Sequence, residues 1–201
     1  MKLKAIEISA LIALIFAVAS TVSFENSCEG IREKVLRLHV IAASDSPADQ
    51  SIKYAVRDEL LRDGESIFKG SETVVQAEEK IESSLPFLQK AAESTLKSLG
   101  CDDSVSVVLG RTYFPTRQYE SITLPAGYYN AVRVIIGEGK GKNWWCVMFP
   151  PMCLPAAAKD SPDLKELLSE KENSLVTAGE KYELKFWFVE KYYELKEKFI
   201  H

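Results

Sequence analysis

The side chains best suited to covalent chemistry in this sequence are Cys146, His39 and Asn143. A cysteine nucleophile needs a base that lowers its pKa or accepts its proton, and His39 is the only histidine besides the terminal His201. Together they would support a cysteine-dependent hydrolase or transferase. The competing interpretation makes Cys146 a core or disulfide residue and His39 a hydrogen-bonded strand residue. We favour it, because any Cys, His and Asn of one domain can be grouped in this way.

Metal and nucleotide chemistry have little support in the sequence. Two histidines cannot build the His-rich zinc clusters of many metalloenzymes. Asp45, Asp49 and Asp58 are too widely spaced for a calcium-binding loop. The glycine-rich stretch 137–143 lacks the Walker spacing and leads into an apolar strand, whereas a phosphate-binding loop opens a helix. We therefore expect no cofactor and no metal site.

Lysines and tryptophans around the same stretch offer another chemistry, the recognition of a partner. The candidate recognition edge consists of Lys140, Lys142, Trp144 and Trp145. Tryptophan brings a large contact area, and lysine can set the orientation of a partner. In the alternative interpretation both tryptophans belong to the core, one on each face of a sheet. We expect at most one of them to be exposed.

Size and charge limit the class of protein. The chain has 201 residues, 46% of them hydrophobic, which suffices for one compact domain with a real core. Its 25 Lys and Arg against 29 Asp and Glu give a formal net charge of -4. Such a charge offers little attraction to a phosphate backbone, so we expect no nucleic-acid binding.

The N-terminus has the layout of a signal peptide. Lys2 and Lys4 precede an uncharged run from Ile8 to Val22, and Ala17 and Ala19 fit an A-x-A cleavage pattern. The run is short for a stable span, which takes roughly 20 apolar residues, but an uncleaved anchor stays the alternative. We expect membrane contact only through this leader or a partner. The predicted segments are a signal peptide over 1–19, a linker over 20–34 and an exported domain over 35–201.

Export would place all four cysteines where disulfides persist. They are Cys28, Cys101, Cys146 and Cys153, and they allow three pairings that sequence cannot separate. We favour Cys146 with Cys153, because Pro150-Pro151 can turn the chain and a short loop is easily closed. The alternative is four free, largely buried cysteines.

Hydrophobic periodicity predicts the elements that position these residues. Alternation predicts strands over 35–41, 105–109, 122–124 and 132–136, and the apolar run 144–149 predicts a strand buried on both sides. Ser46 and Pro47 predict a helix start, and a second helix follows from Val74 with a kink or break at Pro86. Alternation over 182–188 predicts a C-terminal strand before a final helix. Since helices come first and strands cluster later, we expect one α+β domain with a mainly antiparallel sheet.

Four segments, by their residues, order and spacing, resemble those of a known protein family. They are LRLHVIAASDS (36–46) with its continuation to residue 58, YFPTR (113–117), LPAGY (124–128) and GEGKGKNWWCVMFPP (137–151). Together they resemble the stage II sporulation protein R family over roughly residues 35–153. Ala43 stands where an asparagine is expected in that family, which is a small departure.

The resemblance implies an exported signalling protein of endospore-forming bacteria, made in the forespore. It would enter the space between the forespore and mother-cell membranes and activate a membrane-embedded aspartic protease that processes the sigma-E precursor. The protein would then be a ligand and not an enzyme. The alternative is the exported cysteine-dependent enzyme, acting on wall or peptide substrates. The candidate partner-binding residues within the matching segments are Arg37, His39, Arg117, Lys142 and Trp144.

Overall fold

A computed structural model describes residues 2–119, 122–152 and 162–200 of the chain. The helices are α1 (Lys2–Arg32), α2 (Pro47–Phe68), α3 (Val74–Ser98), α4 (Leu164–Leu167), α5 (Glu170–Thr177) and α6 (Glu183–Ile200). The strands are β1 (Leu36–Ile41), β2 (Val105–Phe114), β3 (Arg117–Tyr119), β4 (Ile122–Leu124), β5 (Gly127–Ile136) and β6 (Asn143–Phe149). A short 3₁₀ turn over Gly179–Tyr182 precedes α6. The predicted single α+β domain is confirmed.

A four-stranded sheet with the order β2-β5-β1-β6 forms the centre of the domain. Strand β1 runs parallel to β5 and antiparallel to β6, and β2 runs antiparallel to β5. A parallel pair needs a long crossover, which α2 and α3 supply between β1 and the later strands. Strands β3 and β4 form a separate antiparallel hairpin. The sheet is therefore mixed but mainly antiparallel, as predicted.

Helices α2 and α3 begin and end where the sequence signals them. The Ser46 side chain accepts a hydrogen bond from the amide of Asp49 at 3.1 Å, so the predicted cap is confirmed. Gly100 follows α3 with a φ of 68°, a left-handed conformation that glycine adopts without strain. The expected division at Pro86 is wrong, because α3 runs through it. Its buried stripe on both sides of the proline packs on one core and holds the helix together.

One face of the sheet is sealed by α2 and α3. Leu38 and Val40 of β1 and Val132 and Val134 of β5 meet Leu60 and Leu88 of the helices. All of these side chains are fully buried. We call this the first face, and it is almost entirely apolar.

The opposite, second face is covered by the end of α1, the β3–β4 hairpin and the helices after residue 162. Described side chains of α1 before Phe24 are exposed, and burial begins at Phe24 and continues at Cys28 and Ile31. These three residues lie on one side of a helix and pack into the second core. Most of the segment 20–34, which the sequence predicted as a linker, is thus helical, and from Phe24 onwards it packs against the domain.

The C-terminal strand predicted over 182–188 is also wrong, because α6 occupies that sequence. Its buried side chains are Phe186, Val189 and Tyr193, which follow helical spacing. Of the alternating residues that suggested a strand, Leu184 and Phe188 are 75% and 64% exposed. Alternation in the sequence thus did not correspond to alternation in burial.

Candidate partner-binding site

The candidate site lies on the second face around His39. In the sheet register His39 stands between Arg133 of β5 and Trp145 of β6. Since side chains alternate across a strand, residues in register point to the same face. The β3–β4 hairpin adds Arg117 and Tyr119 to this group, as their contacts with Trp145 and Arg37 show.

Arg37 forms the buried floor of this group. Its Nε donates a hydrogen bond to the carbonyl oxygen of Cys146 at 3.0 Å, and its Nη2 donates to the Tyr119 hydroxyl. The guanidinium lies over the Phe114 ring at 4.2 Å from the ring centre and over Tyr129 at 4.8 Å. Burial lowers the pKa of Arg37 from its ordinary value. Arg37 is fully buried and supports the group from below, and its role in partner binding stays a prediction.

His39 is packed between rings. Its imidazole stacks on the Trp145 ring at 5.6 Å, and Nε2 is 2.9 Å from Oδ1 of Asn143. Burial lowers the pKa of His39, opposed by the hydrogen bond to Asn143 and assisted by the charges of Arg133 and Arg37. The neutral imidazole is therefore favoured. At 8% exposure His39 supports Trp145 from beneath, and its role in partner binding stays a prediction.

Arg117, Arg133 and Trp145 form the accessible part of the group. The Arg117 guanidinium lies over the Trp145 ring at 4.0 Å from its centre. All three residues are half-buried, and Arg133 lies in register with His39. With His39 they make up what we call the Trp145 surface. Sequence reasoning missed Arg133, although an arginine between the core residues Val132 and Val134 signals a position on the other face.

Lys142 and Trp144 lie outside the Trp145 surface. Trp144 is half-buried and packs against the first core, beneath the guanidinium of Arg57 at 4.9 Å. Lys142 is exposed, and its backbone amide donates to a carboxylate oxygen of Asp45 at 2.7 Å. The structure thus brings Arg37, His39 and Arg117 together and separates Lys142 and Trp144 from them. The two tryptophans occupy opposite faces, and neither is exposed.

Cys146 points away from His39. It pairs with Leu38 in the sheet register, so its side chain lies on the first face, where it is fully buried. Cys146 is disulfide-bonded, and Cys28 and Cys101 are free. Its predicted partner Cys153 lies outside the described residues, so that pairing stays a prediction. His39 does meet Asn143, but Cys146 cannot join them across the sheet, which removes the proposed nucleophile and base pair.

Helices α1 and α6 lie side by side, and both expose apolar side chains. Helix α1 from Ile6 to Arg32 is long and apolar enough to cross a membrane, with a mean hydropathy of 2.1 in its 18-residue apolar window, and signal sequences have the same property. Lys185 donates to the Ser20 hydroxyl at 3.2 Å, which places the start of α6 beside α1. The large exposed apolar residues of α6 are Leu184, Trp187, Phe188, Tyr192, Leu195 and Phe199.

Comparison with known proteins gives a consistent result. Residues 32–159 match the family model described as stage II sporulation protein R. The chain is 36% identical over 129 residues to stage II sporulation protein R of Bacillus subtilis (strain 168). The aligned part covers 64% of this chain and 58% of that relative, so little more than half of the relative is spanned. No solved structure matches the chain. All residues of the Trp145 surface fall inside the matched range.

Proposed function

Because the chain belongs to the stage II sporulation protein R family, we propose that it is an exported signalling protein of endospore formation. It would activate a membrane-embedded aspartic protease in the mother-cell membrane, and that protease would then process the sigma-E precursor. Family membership is the observation that carries this proposal.

The N-terminal helix supports delivery across a membrane. Every described side chain of α1 before Phe24 is exposed, so this apolar stretch contributes nothing to the core. It has the properties expected of a leader or anchor. Cleavage after Ala19 would leave Phe24 and Cys28 in place, so the domain keeps its second core in either case. The proposed location is the space between the forespore and mother-cell membranes. The exposed apolar residues of α6, which lies beside α1, support a position of the protein close to a membrane.

The proposed mechanism is binding without catalysis by this chain. A ligand shifts a two-state equilibrium only by its difference in affinity for the two states. The protein would therefore bind the exported part of the protease more tightly in its active arrangement. The separation of Cys146 from His39 weakens the alternative of an exported cysteine-dependent enzyme.

Co-expression in non-sporulating cells tests the proposal. Cells would carry this chain with its leader, the protease and a tagged sigma-E precursor, and precursor length would be measured. We expect cleavage only when the exported chain is present. A variant lacking residues 1–19 should stay inside the cell and fail to trigger cleavage, which controls for location. Absence of cleavage despite confirmed export and an active protease would contradict the proposed function.

A further inference from the structure

We infer that the Trp145 surface binds the carboxylate groups of an acidic peptide segment supplied by a protein partner. The inference goes beyond the proposed receptor, because it concerns the chemistry of the bound segment. Its test contains no protease. The binding test can therefore fail while the proposed function holds, and the proposed function can fail while the binding test succeeds.

The first observation is a concentration of arginines without acidic partners. In the part of the chain that the structure describes, no carboxylate lies within ion-pair distance of Arg37, Arg117 or Arg133. The described ion pairs instead involve other lysines and arginines, such as Arg57 with Asp58 at 2.6 Å. The charges of Arg37 and Arg133 both act on His39, and those of Arg37 and Arg117 both act on Tyr119. Partly desolvated cations grouped in this way favour an anion.

The second observation is a set of unused hydrogen-bond donors. Nε of Arg117, Nε of Arg133 and Nε1 of Trp145 are buried atoms without a hydrogen-bond partner, and all three side chains are only half-buried. Each of these atoms carries a proton to donate. Nearly all buried polar atoms in folded proteins are paired, so a group of free donors in one place is suited to an acceptor from outside the chain. A carboxylate accepts several such bonds and matches the planar arginine fork.

The third observation is the position of Trp145 on an edge strand. Strand β6 is the last strand in the sheet order, and β1 is its only partner among the described strands. An extended peptide can add to such an edge through backbone hydrogen bonds. Alternate residues of an added strand would then face the same side as Trp145. The bound segment should therefore be extended, with acidic residues at every second position.

Calorimetric titration of the full chain in detergent micelles tests this assignment. The probes are a (Glu-Thr)₄ peptide, a matched (Gln-Thr)₄ peptide, glutarate and inorganic phosphate. We expect binding of the glutamate peptide and none of the glutamine peptide. Glutarate bound as tightly as the peptide would overturn the peptide segment in favour of a small carboxylate. Phosphate bound as tightly would overturn the carboxylate assignment.

Substitutions then locate the binding. Arg117→Gln and Arg133→Gln should each weaken binding about tenfold, or about 1.4 kcal/mol. The matched control is Arg57→Gln, which removes an arginine over the tryptophan on the other face and should change affinity less than twofold. Equal loss in the control, or no loss in either test variant, would overturn the inference. Thermal melting confirms folding, and Arg117→Lys, which keeps the charge without the fork, should give an intermediate affinity if the glutamine variant unfolds.

Discussion

Trp144 and Trp145 are adjacent in the sequence, yet they stand on opposite faces of the sheet in different chemical surroundings. Each lies beneath an arginine, Trp144 under Arg57 at 4.9 Å and Trp145 under Arg117 at 4.0 Å. Arg57 is neutralised by Asp58, whereas Arg117 has no carboxylate partner among the described residues. The same pair of side chains thus completes the packing on one face and leaves positive charge available on the other.

The difference extends to the two faces as wholes. The first face is covered by two helices and consists almost entirely of apolar side chains. The second face keeps a fully buried arginine and a histidine beneath its tryptophan. A buried arginine without an anion reduces stability, since desolvation is not offset by an ion pair. A face that retains such an arginine indicates a requirement other than folding, which is why we place recognition there.

The largest expected effect on the free energy of unfolding comes from substituting Arg37, which is buried beneath the second face. Arg37→Ala should lower the free energy of unfolding by about 3–5 kcal/mol, because it leaves a cavity among three rings and unpaired hydrogen-bond partners. Arg37→Met should lose much less, since it fills the volume and removes an uncompensated charge. Urea unfolding of the purified chain measures both. Equal losses would show that the hydrogen bonds of Arg37, and not its volume, hold the face together.

The next largest effect concerns the first face. Cys146→Ser should lower the free energy of unfolding by about 2–5 kcal/mol, because it breaks a disulfide. Cys101→Ser is the matched control, since Cys101 is free and only partly buried, and it should change stability little. Thermal unfolding with and without reductant measures the difference.

The same variant tests the rival enzymatic function. A Cys146→Ser protein that melts normally but no longer triggers precursor cleavage would restore a catalytic Cys146 and contradict its structural role. Retained signalling at a temperature where the variant is folded would support that structural role.

Sequence patterns predicted the first face better than the second. Leu38 and Val40 alternate with polar residues, and the cap of Ser46 is a local hydrogen bond, so neither needs knowledge of distant contacts. The burial of Phe24 and Phe186 depends on α1 and α6 meeting across the whole chain. The two residues are more than a hundred positions apart, and the hydrophobic periodicity of either segment alone cannot predict a contact between them.

The candidate site was predictable only in part for the same reason. Sequence motifs pointed to Arg37, His39 and Arg117, which do come together. They could not assign a face to Trp144 or reveal that Arg133 lies beside His39, because both facts follow from strand register. Burial of Arg37 depends on the hairpin and its neighbouring rings, which close over it from elsewhere in the chain.

A smaller effect should appear in the pH dependence of stability. The pKa of His39 is lowered in the folded protein, so the unfolded chain binds more protons as the pH falls through the ordinary value of 6.5. His39 therefore contributes stability that is present above that pH and lost below it. His39→Gln should flatten the decline of stability between about pH 6.5 and 5. Urea unfolding across this range measures it, with His201→Gln as the control, and an unchanged slope in His39→Gln would contradict the proposed environment.

The smallest expected effect returns to the two arginines above the tryptophans. Arg57→Gln should lower the free energy of unfolding by about 0.5–1 kcal/mol, because it removes a cation–π contact and an ion pair. Arg117→Gln removes a similar contact but also relieves repulsion from Arg37 and Arg133, so its net loss should be smaller. Parallel urea unfolding curves decide the order. If Arg117→Gln proved the more destabilising, the charge on the second face would serve folding, and its assignment to recognition would lose its energetic support.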